Sequence, residues 1–394
     1  MSLKPVIDLD KEYGIVLEGG GAKGAYQVGA WKALKEAGIK IKGIAGTSVG
    51  ALNGAMMCMD ELEQAEKLWS ELTYSKVMDV DDEKMKQIMD LEMPLSEMVE
   101  HAKEIIGERG VDVTPLKNML EEYVDEEKIR NSPRDLYVKT LRVDDIKELD
   151  VDMKKVQPGL MKDFLLASAY LFPIFRIEKL HEKIYLDGGV VDNTPISSLV
   201  RRNYQDIIVI RIFGMGRTKK VKIPENTRVY SIEPRVDLGN IIDFDAKKSI
   251  RNMKIGYYDA KRMLYDLKGR IYYIEENEKE CYYLKHLLQI SEKKLECFMV
   301  QYRISGEEQR MRGMCEIVLP ALAAELKLSR DWNYRELYLS ILEATAKLCR
   351  VPKYQIYTLE QLENVVRQKM EEVSWEEKSD FPLFTMYFEK DKDE

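Results

Sequence analysis

The chain has 394 residues, 45% hydrophobic and 33% charged, which is an ordinary composition for a globular protein of one large or two smaller domains. Its formal net charge of -8 argues against nucleic-acid binding through bulk electrostatics. Five cysteines without a C-x-x-C pair predict a reduced compartment and no zinc site. No run of about 18 apolar residues and no signal-like first segment are present, so we expect a cytoplasmic protein.

The first 60 residues predict strands that alternate with helices. Residues 13–18 form a short apolar run, and residues 22–37 carry apolar side chains at helical spacing. A second predicted strand, 39–45, leads into the segment GTSVG and then into a helix of small residues. This alternation implies a parallel sheet with right-handed crossovers, so we expect an α/β fold.

Ser48 stands at the centre of a G-x-S-x-G motif, between Gly46 and Gly50. A serine on such a strand-to-helix turn protrudes above the sheet, and the glycines leave room beside it. The N-terminus of the next helix favours negative charge at that place. An ordinary turn is the alternative interpretation, because short glycine–serine patterns arise by chance. The motif therefore needs support from elsewhere in the chain.

The loop GGGAKG, which follows the first strand, fits three kinds of site. A dinucleotide site requires an acidic residue at the end of the second strand, and the sequence there is Gly-Thr-Ser. A phosphate-binding loop requires Lys-Ser or Lys-Thr after the last glycine, where Ala25 stands. The remaining interpretation is an oxyanion hole for Ser48, with the N–H groups of Gly20, Gly21 and Val49 as donors.

A carboxylate lies much later, in the segment KIYLDGG, where Asp187 ends a predicted strand. The two glycines after it let this turn approach another strand end, although an Asp-Gly hairpin is the simpler interpretation. The apolar residues 164–175 are expected to pass beneath the site. Further strands are predicted at 136–143, 206–213 and 228–232.

The rest of the chain predicts helices and charged surface. Residues 60–131 are acidic and helical, and we interpret Met78, Met85, Met89, Met93 and Met98 as core filling in preference to a lip over a lipid-sized cleft. Two basic patches are candidates for contact with anionic lipid: Lys219, Lys220 and Lys222, and Lys247, Lys248, Arg251 and Lys254. After 276, helices are predicted at 282–303, 307–328, 334–349 and 358–373.

With GGGAKG, GTSVG and DGG in this order, the chain resembles the patatin-like phospholipases over its first half to two-thirds. The resemblance implies a three-layer α/β fold and a serine acyl hydrolase that cleaves lipid esters with a Ser–Asp dyad. It places the nucleophile at Ser48 and the base at Asp187. It assigns the oxyanion loop and supporting positions to Gly19, Gly20, Gly21, Lys23, Gly24, Gly46, Val49, Gly50, Gly188, Gly189, Asn193 and Pro195. The prolines that often flank an aromatic residue in the family are incomplete here, where Phe172 and Pro173 precede Phe175.

We expect a catalytic domain at 1–275 and a helical region of unknown role at 276–394. The implied partner is a lipid ester, with peripheral contact to membrane surfaces and no nucleic acid. The dyad chemistry requires no metal or other cofactor. Two alternatives stay open: a soluble carboxylesterase or thioesterase with the same dyad, and a lipid- or protein-binding scaffold with little turnover. The oligomeric state is not predicted.

A Ser–Asp–His triad is formally permitted by the chain order Ser48, Asp187, His286. The sequence context argues against it, because His286 lies in a predicted helix of the C-terminal region. His181 lies in a predicted exposed loop, and His101 lies on a predicted solvated helix. We therefore expect none of the three histidines to be catalytic.

Overall fold

The computed structural model describes residues 3–90, 110–171, 174–176, 179–306 and 310–390. These residues divide into two compact units, Met1–Tyr265 and Asp266–Glu394. The predicted domain division at 275/276 lies ten residues after this one. The second unit therefore includes a short strand that the prediction assigned to the catalytic domain.

Eight strands of the first unit form a single sheet. They are β1 (Glu12–Leu17), β2 (Lys40–Thr47), β3 (Asp135–Arg142), β4 (Lys147–Asp152), β5 (Lys179–Leu180), β6 (Lys183–Asp187), β7 (Asp206–Ile210) and β8 (Arg228–Ile232). The order is β5-β6-β3-β2-β1-β7-β8, with β4 paired to β3. Strands β3, β2, β1, β7 and β8 run parallel to one another, whereas β4, β5 and β6 pair antiparallel. The predicted mainly parallel α/β sheet is confirmed.

Ten helices accompany this sheet among the described residues. They are α1 (Ala25–Glu36), α2 (Val49–Met59), α3 (Leu62–Ser70), α4 (Tyr74–Val77), α5 (Asp82–Met89), α6 (Thr114–Tyr123), α7 (Glu126–Asn131), α8 (Met161–Ser168), α9 (Ile196–Val200) and α10 (Ala246–Tyr265). Helix α2 packs on one face of the sheet, where Gly54 lies against Ile44 and Leu136. Helix α9 packs on the other face, where Leu199 joins a core cluster with Val16 and Ala45. Helices therefore cover both faces of the sheet, in three layers.

Helix α1 is fixed by a close crossing with α10. A Cβ atom at Gly29 would lie 1.8 Å from the carbonyl oxygen of Met253, and one at Gly256 would lie 1.9 Å from that of Tyr26. Two glycines thus let the helix backbones touch. Because α1 follows the glycine-rich loop directly, this crossing also anchors the loop.

The second unit is mainly helical. It contains β9 (Tyr273–Glu275), α11 (Glu280–Leu288), α12 (Glu292–Gln301), α13 (Arg310–Gly313), a π-helical turn (Met314–Val318), α14 (Leu319–Glu325), α15 (Tyr334–Leu348), β10 (Ile356–Thr358), α16 (Leu359–Glu372) and α17 (Trp375–Lys378). The single helix predicted at 282–303 is wrong, because Ser291 adopts an extended conformation and starts a new helix there. Strands β9 and β10 form a parallel pair that the sequence analysis missed.

The methionines of the acidic region support the core-filling interpretation where they are described. Met78, Met85 and Met89 are buried. Met93 and Met98 lie outside the described residues. Among the helices that the structure describes, none combines the length and the apolar character needed to cross a bilayer.

Candidate active site

One edge of β3 brings the two predicted catalytic residues together. Thr47, at the end of β2, pairs with Lys139 of β3. The next residue of β3, Thr140, pairs with Asp187 at the end of β6. Strand β4 occupies the opposite edge of β3, so β2 and β6 follow each other along a single edge. Ser48 and Asp187 therefore lie side by side although 139 residues separate them in sequence.

Ser48 occupies a sharp turn between β2 and α2. Its backbone has φ 55° and ψ -130°, a conformation that non-glycine residues rarely adopt and that costs about 1–3 kcal/mol. The turn is tightly packed: a Cβ atom at Gly46 would lie 2.3 Å from the carbonyl oxygen of Gly50, and one at Gly50 would lie 2.3 Å from that of Leu17. Both glycines of the motif are thus required by close approach.

Asp187 is buried, with 3% of its surface exposed. Its Oδ1 accepts the N–H of Gly189 at 2.6 Å, whereas Oδ2 has no hydrogen-bond partner among the described residues. Burial raises the pKa of this carboxyl to about 6, although the nearby Ser48 hydroxyl and the Gly189 N–H partly lower it. The unpaired oxygen is therefore available to accept a proton at neutral pH.

The glycine-rich loop lies beside Ser48, because β1 and β2 are parallel neighbours and their C-terminal ends lie side by side. The N–H of Gly19 donates to the carbonyl of Asn193 at 3.0 Å, so Gly19 is not free to bind an oxyanion. The N–H groups of Gly20, Gly21 and Val49 have no acceptor within the described part of the chain. The geometry thus leaves the N–H groups of Gly20, Gly21 and Val49, the three predicted donors, available to an anion.

Asn193 joins the glycine-rich loop to the turn that follows Asp187. Its side-chain amide donates to the carbonyl of Gly19 at 3.0 Å, and its own carbonyl accepts from Gly19. Its Oδ1 would lie 2.9 Å from a Cβ atom at Gly189. Gly188 also leaves no room for a side chain, since a Cβ atom added there would lie 2.3 Å from the carbonyl oxygen of Lys139.

Glu18 holds a second segment against the glycine-rich loop. This carboxylate is 1% exposed and accepts the backbone N–H groups of Ile212 and Phe213 at 2.7 and 3.0 Å. It also binds the guanidinium of Arg211 at 3.0 Å. Lys23, predicted as a supporting residue, donates to the carbonyl of Phe213 at 3.1 Å and so attaches the same segment.

The end of α8 and the residues after it position both predicted catalytic residues. The hydroxyl of Ser168 accepts the N–H of Ser48 at 2.9 Å and donates to the carbonyl of Lys139 at 2.7 Å. The carbonyl of Tyr170 accepts the N–H of Asp187 at 3.0 Å. The sequence analysis placed this stretch beneath the site but did not identify Ser168, because one serine in an apolar run carries no distinctive signal.

A chain of buried amides behind the glycine-rich loop was also missed. Gln27 donates to the carbonyl of Glu18 at 2.7 Å and accepts from Asn53 at 2.9 Å. Asn53 also donates to the carbonyl of Gly24 and accepts from the indole of Trp69. Polar residues on the otherwise apolar faces of α1 and α2 were the available signal, since buried amides require partners.

An apolar pocket opens beside Ser48. Gly21 and Val49 line it next to the serine, and the remaining wall comes from α2, α3, α4, α6 and four connecting segments. Its apolar side chains include Leu52, Met56, Leu68, Trp69, Leu72, Val77, Leu116, Met119, Leu120, Leu171, Phe175, Ile241, Ile242 and Phe244. The described methionines Met78, Met85 and Met89 do not line this pocket, so they do not form the alternative lip over it. Phe172 and Pro173 lie outside the described residues.

The described histidines are engaged elsewhere. His181 lies 2.7 Å from Asp163 on the surface, and a ring nitrogen of His286 lies 2.8 Å from the carbonyl of Tyr282 in the second unit. His101 lies outside the described residues. Neither His181 nor His286 forms a hydrogen bond with Ser48 or Asp187 among the described residues.

A strand–serine turn–helix with a buried acid at the adjacent strand end is an arrangement found in serine hydrolases of α/β type. Residues 15–200 match the family model of the patatin-like phospholipases. This match covers just under half of the chain, and it makes residues 15–200 similar to that domain.

Two relatives match short parts of the chain. "Neuropathy target esterase sws" of Drosophila sechellia is 37% identical over 89 residues, which cover 22% of this chain and 6% of that protein. "Lysophospholipase nte1" of Aspergillus terreus is 58% identical over 50 residues, which cover 13% of this chain and 3% of that protein. The matched regions thus span only a small fraction of these relatives.

Two solved structures align over most of the chain at low similarity. VipD from Legionella pneumophila covers 95% of this chain, with a TM-score of 0.40 and 15% identity, over 90% of its own length. The type III effector protein ExoU covers 95% of this chain, with a TM-score of 0.33 and 12% identity, over 74% of its own length. Similarity at this level does not bear on the function of this chain.

Proposed function

We propose that the protein is a serine acyl hydrolase that cleaves ester bonds of phospholipids or related lipids. The observation that carries this proposal is the unpaired, buried Oδ2 of Asp187 next to Ser48, which lines an apolar pocket. The patatin-like domain and relatives named as an esterase and a lysophospholipase support a lipid ester as substrate.

In the proposed reaction, Asp187 accepts the hydroxyl proton as Ser48 Oγ attacks the ester carbonyl carbon. The N–H groups of Gly20, Gly21 and Val49 bind the oxyanion of the tetrahedral intermediate. Collapse of this intermediate breaks the ester bond, and Asp187 returns the proton to the leaving alcohol. Water, deprotonated by Asp187, then attacks the acyl-enzyme and releases the fatty acid and Ser48.

The apolar pocket is the proposed binding site of the acyl chain. Its wall starts at Ser48 and Val49 and continues along apolar side chains of α2, α3 and α6. Burial of each methylene there contributes about 0.8 kcal/mol, so longer acyl chains gain affinity until the pocket is full. A polar headgroup would gain no comparable stabilisation from these apolar side chains.

A fluorophosphonate probe tests the chemistry. We expect the full chain to be labelled at Ser48, and Ser48→Ala to prevent labelling. Hydrolysis of phospholipids, lysophospholipids and short soluble esters by the same preparation then defines the substrate. Absence of labelling in a folded protein contradicts the proposal and favours the binding scaffold. Turnover of short esters with no response to chain length favours a soluble carboxylesterase or thioesterase.

We further propose that the enzyme works in the cytoplasm, at membrane surfaces where lipid esters are found. No metal or organic cofactor is needed for the proposed steps. Fractionation of cells that express the full chain, with and without a salt wash of membranes, tests this location.

A further inference from the structure

The segment 211–217 forms the rim of the candidate active site. A Cβ atom at Gly214 would lie 1.8 Å from the carbonyl oxygen of Gly19, so the segment touches the glycine-rich loop. The N–H of Arg217 donates to the carbonyl of Gly189 at 2.8 Å, so it also touches the turn after Asp187. The segment therefore spans from the proposed oxyanion hole to the proposed base.

Phe213 is presented on this rim in an unusual backbone conformation. Its φ is 47°, a region that bulky residues rarely occupy. Its side chain is nevertheless exposed, with 49% of the residue surface accessible. The buried Glu18 accepts its N–H and Lys23 donates to its carbonyl, so the fold maintains a strained turn that carries an exposed ring.

Two further apolar side chains are exposed beside it. Met215 is 56% exposed and lies two residues after Phe213. Val190 is 51% exposed and follows Gly189, the residue bonded to Arg217. Three apolar side chains thus project from the two loops that flank Ser48 and Asp187.

Basic residues lie next to these exposed apolar side chains in the sequence. Residues 211–222 include five basic residues and no acidic one, in a chain of net charge -8. Lys219 pairs with Glu148. Arg217, Lys220 and Lys222 are exposed, and none of them forms an ion pair with a described residue. Their charge is therefore available to an external anion.

We propose that Val190, Phe213, Met215, Arg217, Lys220 and Lys222 form a rim surface that docks on an anionic phospholipid bilayer. The choice of partner rests on the proposed function. Exposed apolar side chains enter the boundary between headgroups and acyl chains, while nearby cations are attracted to anionic headgroups. Docking in this way turns the mouth of the Ser48 pocket toward the lipid.

Vesicle binding of the full chain in a Ser48→Ala background tests the apolar part. This background prevents turnover, so the vesicles stay intact and binding is measured independently of hydrolysis. The variant Phe213→Asn/Met215→Ser is compared with Val6→Ser/Val229→Ser. Val6 is 62% exposed and precedes β1, and Val229 is 40% exposed at the start of β8. The control pair therefore lies toward the N-terminal ends of the parallel strands, away from Ser48. Asparagine tolerates the positive φ at position 213.

Co-sedimentation uses phosphatidylcholine vesicles with and without phosphatidylglycerol. We expect the rim variant to bind the anionic vesicles at least tenfold more weakly, and the control pair to bind within about twofold of the parent. Equal affinities of the rim variant and the control pair would overturn the proposal.

Charge reversal tests the electrostatic part. The variant Lys220→Glu/Lys222→Glu is compared with the control Lys40→Glu/Lys42→Glu. The control lysines lie at the start of β2, and Ser48 follows the other end of the same strand. We expect only the first pair to weaken binding to anionic vesicles by about tenfold, and expect the difference to disappear at high salt. Equal weakening by both pairs overturns a local role of this surface.

Phe213→Trp supplies a measurement that does not depend on loss of binding. We expect quenching of the added tryptophan fluorescence by lipids that carry a quencher near the headgroup. No quenching in a bound protein overturns the assigned surface. A dimer in sedimentation equilibrium that Phe213→Asn dissociates would also overturn it, in favour of contact between copies. Failure of the wild-type protein to react with the fluorophosphonate probe, with rim-dependent binding retained, would contradict the proposed hydrolase function alone.

Discussion

The two units of the molecule use buried carboxylates in different ways. In the second unit, Glu343 accepts three backbone N–H groups, from Arg270, Ile271 and Tyr272, at 2.7–2.9 Å. In the first unit, Asp187 accepts one N–H and keeps its other oxygen unpaired among the described residues. A saturated carboxylate stabilises a loop, whereas an unsaturated one retains basicity. Burial alone therefore does not mark a functional acid. Burial with an unused oxygen is also not enough to mark a candidate base, because Glu276 of the second unit has such an oxygen among the described residues; what distinguishes Asp187 is its place beside Ser48.

Acid-to-amide substitutions should separate these two roles most strongly. We expect Asp187→Asn and Ser48→Ala to lower kcat/KM for ester hydrolysis by about 10⁴-fold or more, because each removes a member of the dyad. Glu343→Gln is the matched control and should reduce stability while turnover per folded molecule stays within about twofold. His181→Gln and His286→Gln should also keep turnover.

Steady-state kinetics on protein shown to be folded by circular dichroism make this measurement. A folded Glu343→Gln protein without turnover would break the contrast between the units and bring the second unit into catalysis. A folded His286→Gln protein without turnover would replace the dyad with a triad.

Crowding at the glycine-rich loop should give the next largest effect. A Cβ atom at Gly19 would lie 2.4 Å from Asn193 Oδ1 and 3.1 Å from the Cβ of Ser48. We expect Gly19→Ala to displace the loop and lower kcat by about 10²-fold. Gly159→Ala is the control, because a Cβ atom there would meet nothing within 4 Å, so that only its positive φ of 85° opposes alanine. It should lose about 1 kcal/mol of stability and keep kcat. Equal kcat values for the two variants would contradict the assigned loop geometry.

The pH dependence of hydrolysis should report the pKa of Asp187. Burial raises it from 3.8 to about 6, and only the deprotonated form accepts the Ser48 proton. We expect kcat/KM to be constant well above pH 6 and to fall about tenfold for each pH unit below it. A profile recorded on a short soluble ester avoids changes in lipid packing. An activity that stays constant down to pH 4 would exclude Asp187 as the base.

Removal of the Ser168 hydroxyl should have a smaller effect. Ser168→Ala leaves the N–H of Ser48 without its acceptor, which costs about 1–3 kcal/mol and lowers kcat about tenfold. We expect KM to change little, because the hydroxyl is not part of the pocket wall, and expect Ser168→Thr to restore part of the activity. A change in KM alone, or no gain from threonine, would show that Ser168 acts only on packing.

The smallest expected effect is a gain in stability. Raising the pKa of Asp187 to about 6 means that ionisation of the folded state costs about 3 kcal/mol above that pH. The cost is absent below about pH 4, increases between pH 4 and 6, and is complete above pH 6. We expect Asp187→Asn to raise the free energy of unfolding by about 1–3 kcal/mol at pH 8 and by little at pH 4. Urea unfolding at the two pH values measures this, and a destabilised variant at pH 8 would contradict it.

Local sequence predicted the two strand ends at Ser48 and Asp187, which the pairing with β3 brings together. The patterns around Ser48 and Asp187 each define a strand and the turn after it within about ten residues, so the strand ends were accessible without tertiary information. The N–H of Gly19, in the predicted oxyanion loop, is instead bound by Asn193, 174 residues away. Which N–H groups stay free depends on tertiary contacts that no local pattern reports.

The hydrogen bonds that support the site were also less predictable, because they join residues that are far apart in the sequence. Ser168 bonds to Ser48 across 120 residues, and Glu18 bonds to Phe213 across 195. These partners are set by the register of the sheet. In the second unit, the break at Ser291 was missed because apolar spacing continues through it.

The shared edge of β3 also has a consequence for folding. Strands β2 and β3 can pair early as part of the parallel sheet, but Asp187 reaches Ser48 only after β6 has paired with Thr140. Contacts between distant segments form slowly, because the intervening chain must first be ordered. A nascent or partly folded chain therefore holds an elbow serine without its base. Under the proposed function, hydrolytic activity therefore requires the complete sheet.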